Sequence, residues 1–214
     1  MRSRTRIKIC GMTDGNEVRH AVAAGVDALG FIFVPESPRY INPEQAREII
    51  SCLPPFVDAV GVFMNEEAAR VLEIVQYCGL TVLQLHGAET PEYCRQFQIR
   101  VIKAFQVRPD LSAEDLKPYE DVVSGFLLDT YHKIQGGGTG QTFDWSIVMG
   151  LQPTKPVILA GGIGPDNVVS AISAVHPFAV DVNSAVETQP GRKSPDLVSR
   201  LMKEVASCSP DSTE

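Results

Sequence analysis

Ile7-Lys8-Ile9-Cys10-Gly11-Met12-Thr13-Asp14 opens the regular structure of this 214-residue chain. It reads as a short apolar strand turning directly into a helix, with Asp14 placed to cap the helix. An open, doubly wound sheet that binds a dinucleotide carries a Gly-x-Gly-x-x-Gly turn at this junction. Here Gly11 stands alone, and the glycines gather much later in the chain: Gly136–Gly138 with Gly140, then Gly161-Gly162. Glycine-rich turns after the last strands are where parallel barrels bind phosphate. The first turn therefore favours a closed barrel over an open sheet.

The rest of the chain repeats the same unit. Apolar runs at 7–10, 28–34, 59–64, 81–86, 100–106, 124–129, 156–160 and 178–183 predict eight strands. Amphipathic segments predict helices over 14–24, 43–53, 66–78, a short one from Thr90, then 112–119, 144–149, 165–175 and 195–206. Asn42-Pro43 and Cys78-Gly79 supply a start and a stop of the expected kind. Strict alternation of strand and helix implies a parallel sheet covered by helices, and eight units make a single α/β domain, a (β/α)₈ TIM barrel over 1–206. Residues 207–214 read as a polar tail.

Composition narrows the function. With 44% hydrophobic and 21% charged residues the chain has the make-up of a globular domain. Its 19 basic and 26 acidic residues give a net charge of -7 without a basic stripe, so no nucleic-acid partner is expected. No apolar run is long enough to span a membrane, and none at the N-terminus resembles a signal peptide. Five scattered cysteines, with neither a CxxC pair nor metal-ligand spacing, suit reduced thiols in the cytoplasm. The composition does not set an oligomeric state.

Barrel strands are packed on both faces, so polar residues within them are informative. Alternation puts Lys8 with Cys10, Gln84 with His86, and Asp181 with Asn183 on shared strand faces, while Asp129 ends the sixth strand. If those faces look inward, the groups converge at the C-terminal mouth, where barrel enzymes place their chemistry. Singly, each has an ordinary explanation: Cys packs as a small hydrophobe, and a strand-end Asp caps a turn. Gly161-Gly162 and the segment Asn183-Ser184-Ala185 offer backbone N–H groups to an anion, for which phosphate is the natural choice.

The ordered set of motifs goes further. Lys8-Ile9-Cys10-Gly11-Met12-Thr13, Ser37-Pro38-Arg39-Tyr40-Ile41, Gln84-Leu85-His86-Gly87, Leu128-Asp129-Thr130, Gly137-Gly138-Thr139-Gly140, Leu159-Ala160-Gly161-Gly162-Ile163 and Val180-Asp181-Val182-Asn183-Ser184 resemble the phosphoribosylanthranilate isomerases of tryptophan biosynthesis. The resemblance implies a cofactor-free, metal-free Amadori rearrangement of a phosphosugar. It assigns Cys10 as general base, Asp129 as general acid, and Arg39 as the contact for the anthranilate carboxylate. It places His86 and Asp181 in the substrate pocket. Gly138, Gly140, Gly161, Gly162, Asn183, Ser184 and Ala185 fall in the phosphate cradle. Where the family reads Ser-Ser-Gly after strand eight, this chain has Asn183-Ser184-Ala185, and Ala185 resists positive φ and brings a methyl group. Lys8, one pleat below Cys10, is expected to favour the thiolate. A barrel aminoaldose isomerase of histidine biosynthesis typically has an aspartate where Cys10 stands. A non-catalytic phosphosugar-binding barrel would not need both Cys10 and Asp129.

Overall fold

Eight short strands, joined by helical crossovers, close on themselves. They are β1 (Arg6–Ile9), β2 (Ala28–Ile32), β3 (Asp58–Phe63), β4 (Val82–Leu85), β5 (Arg100–Gln106), β6 (Gly125–Asp129), β7 (Val157–Ala160) and β8 (Ala179–Val182). Each pairs in parallel with its neighbour in sequence, and β1 closes the ring against β8 with Lys8 opposite Asp181. The computed structural model describes residues 4–130 and 145–208. The predicted barrel is the observed one.

The helices begin and end where the cap chemistry dictates. Asp14 accepts the backbone N–H groups of Asn16 and Glu17 at the start of α1 (Gly15–Ala24), and Gly25 ends it in the left-handed region. Asn42 accepts the Gln45 N–H ahead of α2 (Pro43–Ile50), and Gly79 terminates α3 (Ala68–Cys78). The pieces α4 (Pro91–Cys94) and α5 (Ala113–Leu116) are single turns, whereas α6 (Ser146–Leu151), α7 (Val168–Val175) and α8 (Pro195–Ser207) are longer.

Burial sorts into three layers. Outward-facing strand residues such as Leu29, Leu83, Phe126 and Val180 join helix residues in one large core. Each such fully buried side chain contributes roughly 1.5–3 kcal/mol through removal from water. Inside the barrel a small plug of Ala104, Leu127, Ile158, Ala160 and Ala179 fills the floor. Above it Cys10, Ile32 and Val62 form an apolar shelf at the mouth. The apolar plug separates the two ends of the barrel, and the polar strand-end residues Gln84, His86, Asp129 and Asp181 gather at a cavity on the C-terminal side.

Two local departures from the sequence reading have plain causes. α7 starts at Val168 rather than 165, because Asn167 accepts the Gly164 N–H and donates to the Gly162 carbonyl, holding 162–167 as a loop. Between β8 and α8 the chain makes a 3₁₀ turn (Ser184–Val186) and an antiparallel hairpin, β9 (Glu187–Gln189) with β10 (Arg192–Lys193). The predicted loop carrying Gly138 and Gly140 lies outside the described residues, as does most of the tail predicted at 207–214.

Candidate active site

β1 delivers Lys8 inward and Cys10 just past the strand end, and both are buried. Lys8 Nζ donates to Asp181 Oδ2 on β8 at 2.8 Å, a pair that the β1–β8 register places side by side. Burial alone would lower the Lys8 pKa, but the Asp181 carboxylate and Cys10 outweigh it and raise it above the ordinary ammonium value. Asp181 Oδ1, also buried, has no hydrogen-bond partner among the described residues.

Burial pushes the Cys10 thiol above its usual range, and Lys8 and Lys193 pull it down without cancelling that effect. The expected influence of Lys8 is present, but desolvation is larger. One wall beside the thiol is Gly30, where an added Cβ would stand 2.7 Å from Cys10 Sγ. Any side chain at position 30 would displace it.

β4 and β6 supply the facing groups. Gln84 Nε2 lies 3.0 Å from His86 Nδ1. With the Gln84 amide nitrogen donating, Nδ1 would accept and the ring proton would lie on Nε2, which is 3.6 Å from Asp129 Oδ2. Gln84 Oε1 is the second buried acceptor without a partner among the described residues. Thr130, next to Asp129, donates to the carbonyls of Ala160 and Gly161 and ties the end of β6 to the glycine turn after β7.

That turn places Gly161 at φ 90° and Gly162 at φ 68°, where a side chain is strained. Across from it, Asn183 and Ser184 follow β8, and with the two glycines they rim a cavity of about 400 Å³. Cys10, Arg39, His86, Asp129 and Asp181 line the same cavity. Ala185 does not line it. Its methyl group packs against Gly164, where a Cβ would lie only 2.5 Å away. Nor does Ala185 take positive φ, because it sits within the 3₁₀ turn. The absence of a side chain at Gly164 leaves room for the Ala185 methyl group.

A barrel with this mouth matches known proteins over nearly its whole length. The model of N-(5'-phosphoribosyl)anthranilate isomerase matches residues 7–204. The chain belongs to the phosphoribosylanthranilate isomerase family. The N-(5'-phosphoribosyl)anthranilate isomerase of Moorella thermoacetica is 52% identical over 201 residues, covering 94% of this chain and 89% of the relative. The Thermotoga maritima phosphoribosylanthranilate isomerase structure is similar at a TM-score of 0.85 and 43% identity, covering 95% of this chain and 99% of that one. An isomerase of this family solved with reduced 1-(o-carboxyphenylamino)-1-deoxyribulose 5-phosphate has a TM-score of 0.82 and 41% identity, covering 95% and 99%.

Of the residues that the family resemblance singled out, Cys10, Arg39, His86, Asp129, Gly161, Gly162, Asp181, Asn183 and Ser184 meet at this one cavity. Two more ionic groups stand behind this cavity: Glu187, which grips Arg39, and Lys193, which grips Glu187. Sequence reading passed over both. The signal was there, in the Pro190-Gly191 turn dividing Glu187-Thr188-Gln189 from Arg192-Lys193, a pattern that announces a hairpin.

Proposed function

We propose that this protein converts N-(5-phosphoribosyl)anthranilate to 1-(2-carboxyphenylamino)-1-deoxyribulose 5-phosphate, the isomerisation of tryptophan biosynthesis, with Asp129 as general acid and Cys10 as general base. The observation that carries it is the convergence of Cys10 and Asp129, from β1 and β6, on one cavity rimmed by Gly161, Gly162, Asn183 and Ser184. The phosphate would lie against that rim, with bare backbone N–H groups of the glycine turn toward it. Arg39 would hold the anthranilate carboxylate.

The reaction needs proton transfers at the ring oxygen, C2 and C1, and no external oxidant or reductant. A carboxylic acid at Asp129 gives its proton to the ribose ring oxygen as the C1–O bond breaks, leaving a Schiff base between C1 and the anthranilate nitrogen. The carboxylate so formed faces His86 Nε2 at 3.6 Å, where an N–H would support its negative charge. Cys10 thiolate then removes the C2 proton, and the electrons move toward nitrogen to give an enol-amine. A proton added at C1, with loss of the C2 hydroxyl proton to the base, completes the ketone. The chain's five cysteines are free thiols, which suits the reducing cytoplasm, the compartment we assign.

The test is the loss of anthranilate-sugar fluorescence, with substrate generated in place, for the parent, Cys10→Ser and Asp129→Asn. Each substitution should lower kcat by about 10²–10⁴, the usual worth of one positioned acid or base. A folded parent that leaves the fluorescence unchanged would sink the activity. A near-parental Cys10→Ser would sink only the role of the thiol.

A further inference from the structure

Arg39 does not point freely into the cavity. Its Nε donates to Glu187 Oε1 at 2.9 Å and its Nη2 to Glu187 Oε2 at 2.7 Å, a two-point grip on one edge of the guanidinium. Glu187 is itself held from behind. Lys193 Nζ donates to Glu187 Oε1 at 2.7 Å and to Asn183 Oδ1 at 2.8 Å, and Gly191 N–H donates to Oε1 at 3.2 Å. The side chains of Glu187 and Lys193 are 4% and 2% exposed. Burial by itself would raise the Glu187 pKa, but the hydrogen bonds from Arg39 and Lys193 outweigh it and hold the carboxylate ionised.

The arrangement is costly unless it serves something. A two-point carboxylate neutralises an arginine, and a neutralised arginine is a poor receptor for a second carboxylate. Lys193 reverses that outcome. Arg39, Glu187 and Lys193 together carry +2 and -1, so the trio keeps one net positive charge where it meets the cavity. One guanidinium edge is fixed, so a ligand carboxylate is left the Nη1 end in a set orientation. The turn after β1 makes room for this: a Cβ at Gly11 would stand 2.7 Å from Arg39 Cδ and 2.9 Å from Asn183 Oδ1.

We infer that Glu187 and Lys193, on the hairpin after β8, are positioning residues that aim Arg39 at a carboxylate on the substrate's aromatic ring. The inference rests on the reading of Arg39 as the anthranilate contact. Glu187 sets the direction of the guanidinium, and Lys193 keeps the trio cationic. Through Asn183, Lys193 also joins the carboxylate end of the cavity to its phosphate rim. The pair acts on selectivity for the ring substituent; the pull of Lys193 on the Cys10 thiol is common to both adducts and cancels in their ratio.

The experiment compares kcat/KM for the phosphoribosyl adduct of anthranilate with that for the adduct of aniline, which lacks the carboxylate. Arg39→Met should collapse the preference for the anthranilate adduct; if it does not, the reading of Arg39 itself fails. The double variant Glu187→Gln with Lys193→Met removes both buried charges together and leaves neither alone. It should lower the ratio about tenfold, with the loss falling on KM for the anthranilate adduct. Glu187→Asp keeps the charge but withdraws it by one methylene, and should lower the ratio even if the double variant does not fold. A parental ratio in Glu187→Asp, or in a folded double variant, beside a collapsed ratio in Arg39→Met overturns the inference and leaves the Arg39 reading intact.

Discussion

Of the buried lysine–carboxylate pairs in this barrel, two stand on opposite sides of the strand wall. Lys103 and Glu89 meet at 3.0 Å between strands and helices, and Lys8 and Asp181 meet at 2.8 Å inside the mouth. Their surroundings differ. Lys103 Nζ also donates to the carbonyls of Leu85, Gly87 and Ala104, while Glu89 accepts N–H groups from Asn65 and Gly87. Lys103 Nζ and both Glu89 oxygens are taken by protein partners. The pair locks the β4–α4 turn beside His86. By contrast Asp181 Oδ1 has no partner among the described residues, and the pair sits under Cys10 at the cavity. A saturated ion pair is architecture. One left with a spare buried acceptor at a cavity is available for chemistry.

The largest expected effect breaks the structural pair. Lys103→Met strands the Glu89 carboxylate in a dry layer, and should cost about 3–5 kcal/mol of unfolding free energy. Chemical denaturation measures it. The pH profile of kcat/KM for the folded protein should keep the parent's shape. If that profile moves as far as the one described next for the mouth pair, the division between the two pairs is wrong.

Lys8→Met tests the other side. Because Asp181 borders the cavity, the stability loss should be smaller, about 1–2 kcal/mol. The kinetic effect should be larger. A base must be deprotonated, and burial already holds the Cys10 thiol above the usual range, so the rate climbs as pH rises toward that value. Removing Lys8 takes away a charge that lowers the thiol pKa and leaves Asp181, which raises it. The rising limb therefore moves to higher pH, and the neutral-pH rate falls about tenfold for every pH unit by which the limb is displaced. A pH profile of Lys8→Met that overlays the parent's ends the electrostatic role of Lys8.

The sequence made the barrel legible because its evidence is periodic and local. Alternating apolar runs, Asp14 and Asn42 as caps, and Gly79 as a stop each act within a few residues. The mouth was legible too, since strand alternation put Lys8 with Cys10 and Gln84 with His86. Charge pairing across the chain was not. Lys103 drew no reading of its own within the run 100–106, and it is buried because Glu89, 14 residues earlier, turns back to meet it. Glu187 was missed for the same reason: its partner Arg39 lies 148 residues away, and only the closed ring brings them together; Lys193 meets Glu187 across the hairpin, which went unread. Residues 131–144 remain a sequence expectation only.

Gln84 offers the smallest and sharpest test, because it carries no charge yet shares the mouth pair's signature, a buried acceptor without a partner among the described residues. If such an acceptor marks a group kept for function, then removing it should leave stability almost untouched and still slow the reaction. Gln84→Met keeps the volume and deletes both the unpartnered oxygen and the donor to His86 Nδ1. The two losses have opposite signs for folding, so the net change should stay within about 1 kcal/mol. Without the donor, the imidazole is free to carry its proton on Nδ1, and Nε2 then turns a lone pair toward Asp129. The carboxylate that forms on proton donation then faces a lone pair at 3.6 Å instead of an N–H, and kcat should fall about fivefold, or ~1 kcal/mol of barrier. Protonation of His86, read by NMR of the ring nitrogens, separates the causes. A slowed variant with the parent's tautomer would place the effect in the cavity's shape, and a parental rate would make Gln84 a packing residue like Lys103's neighbours.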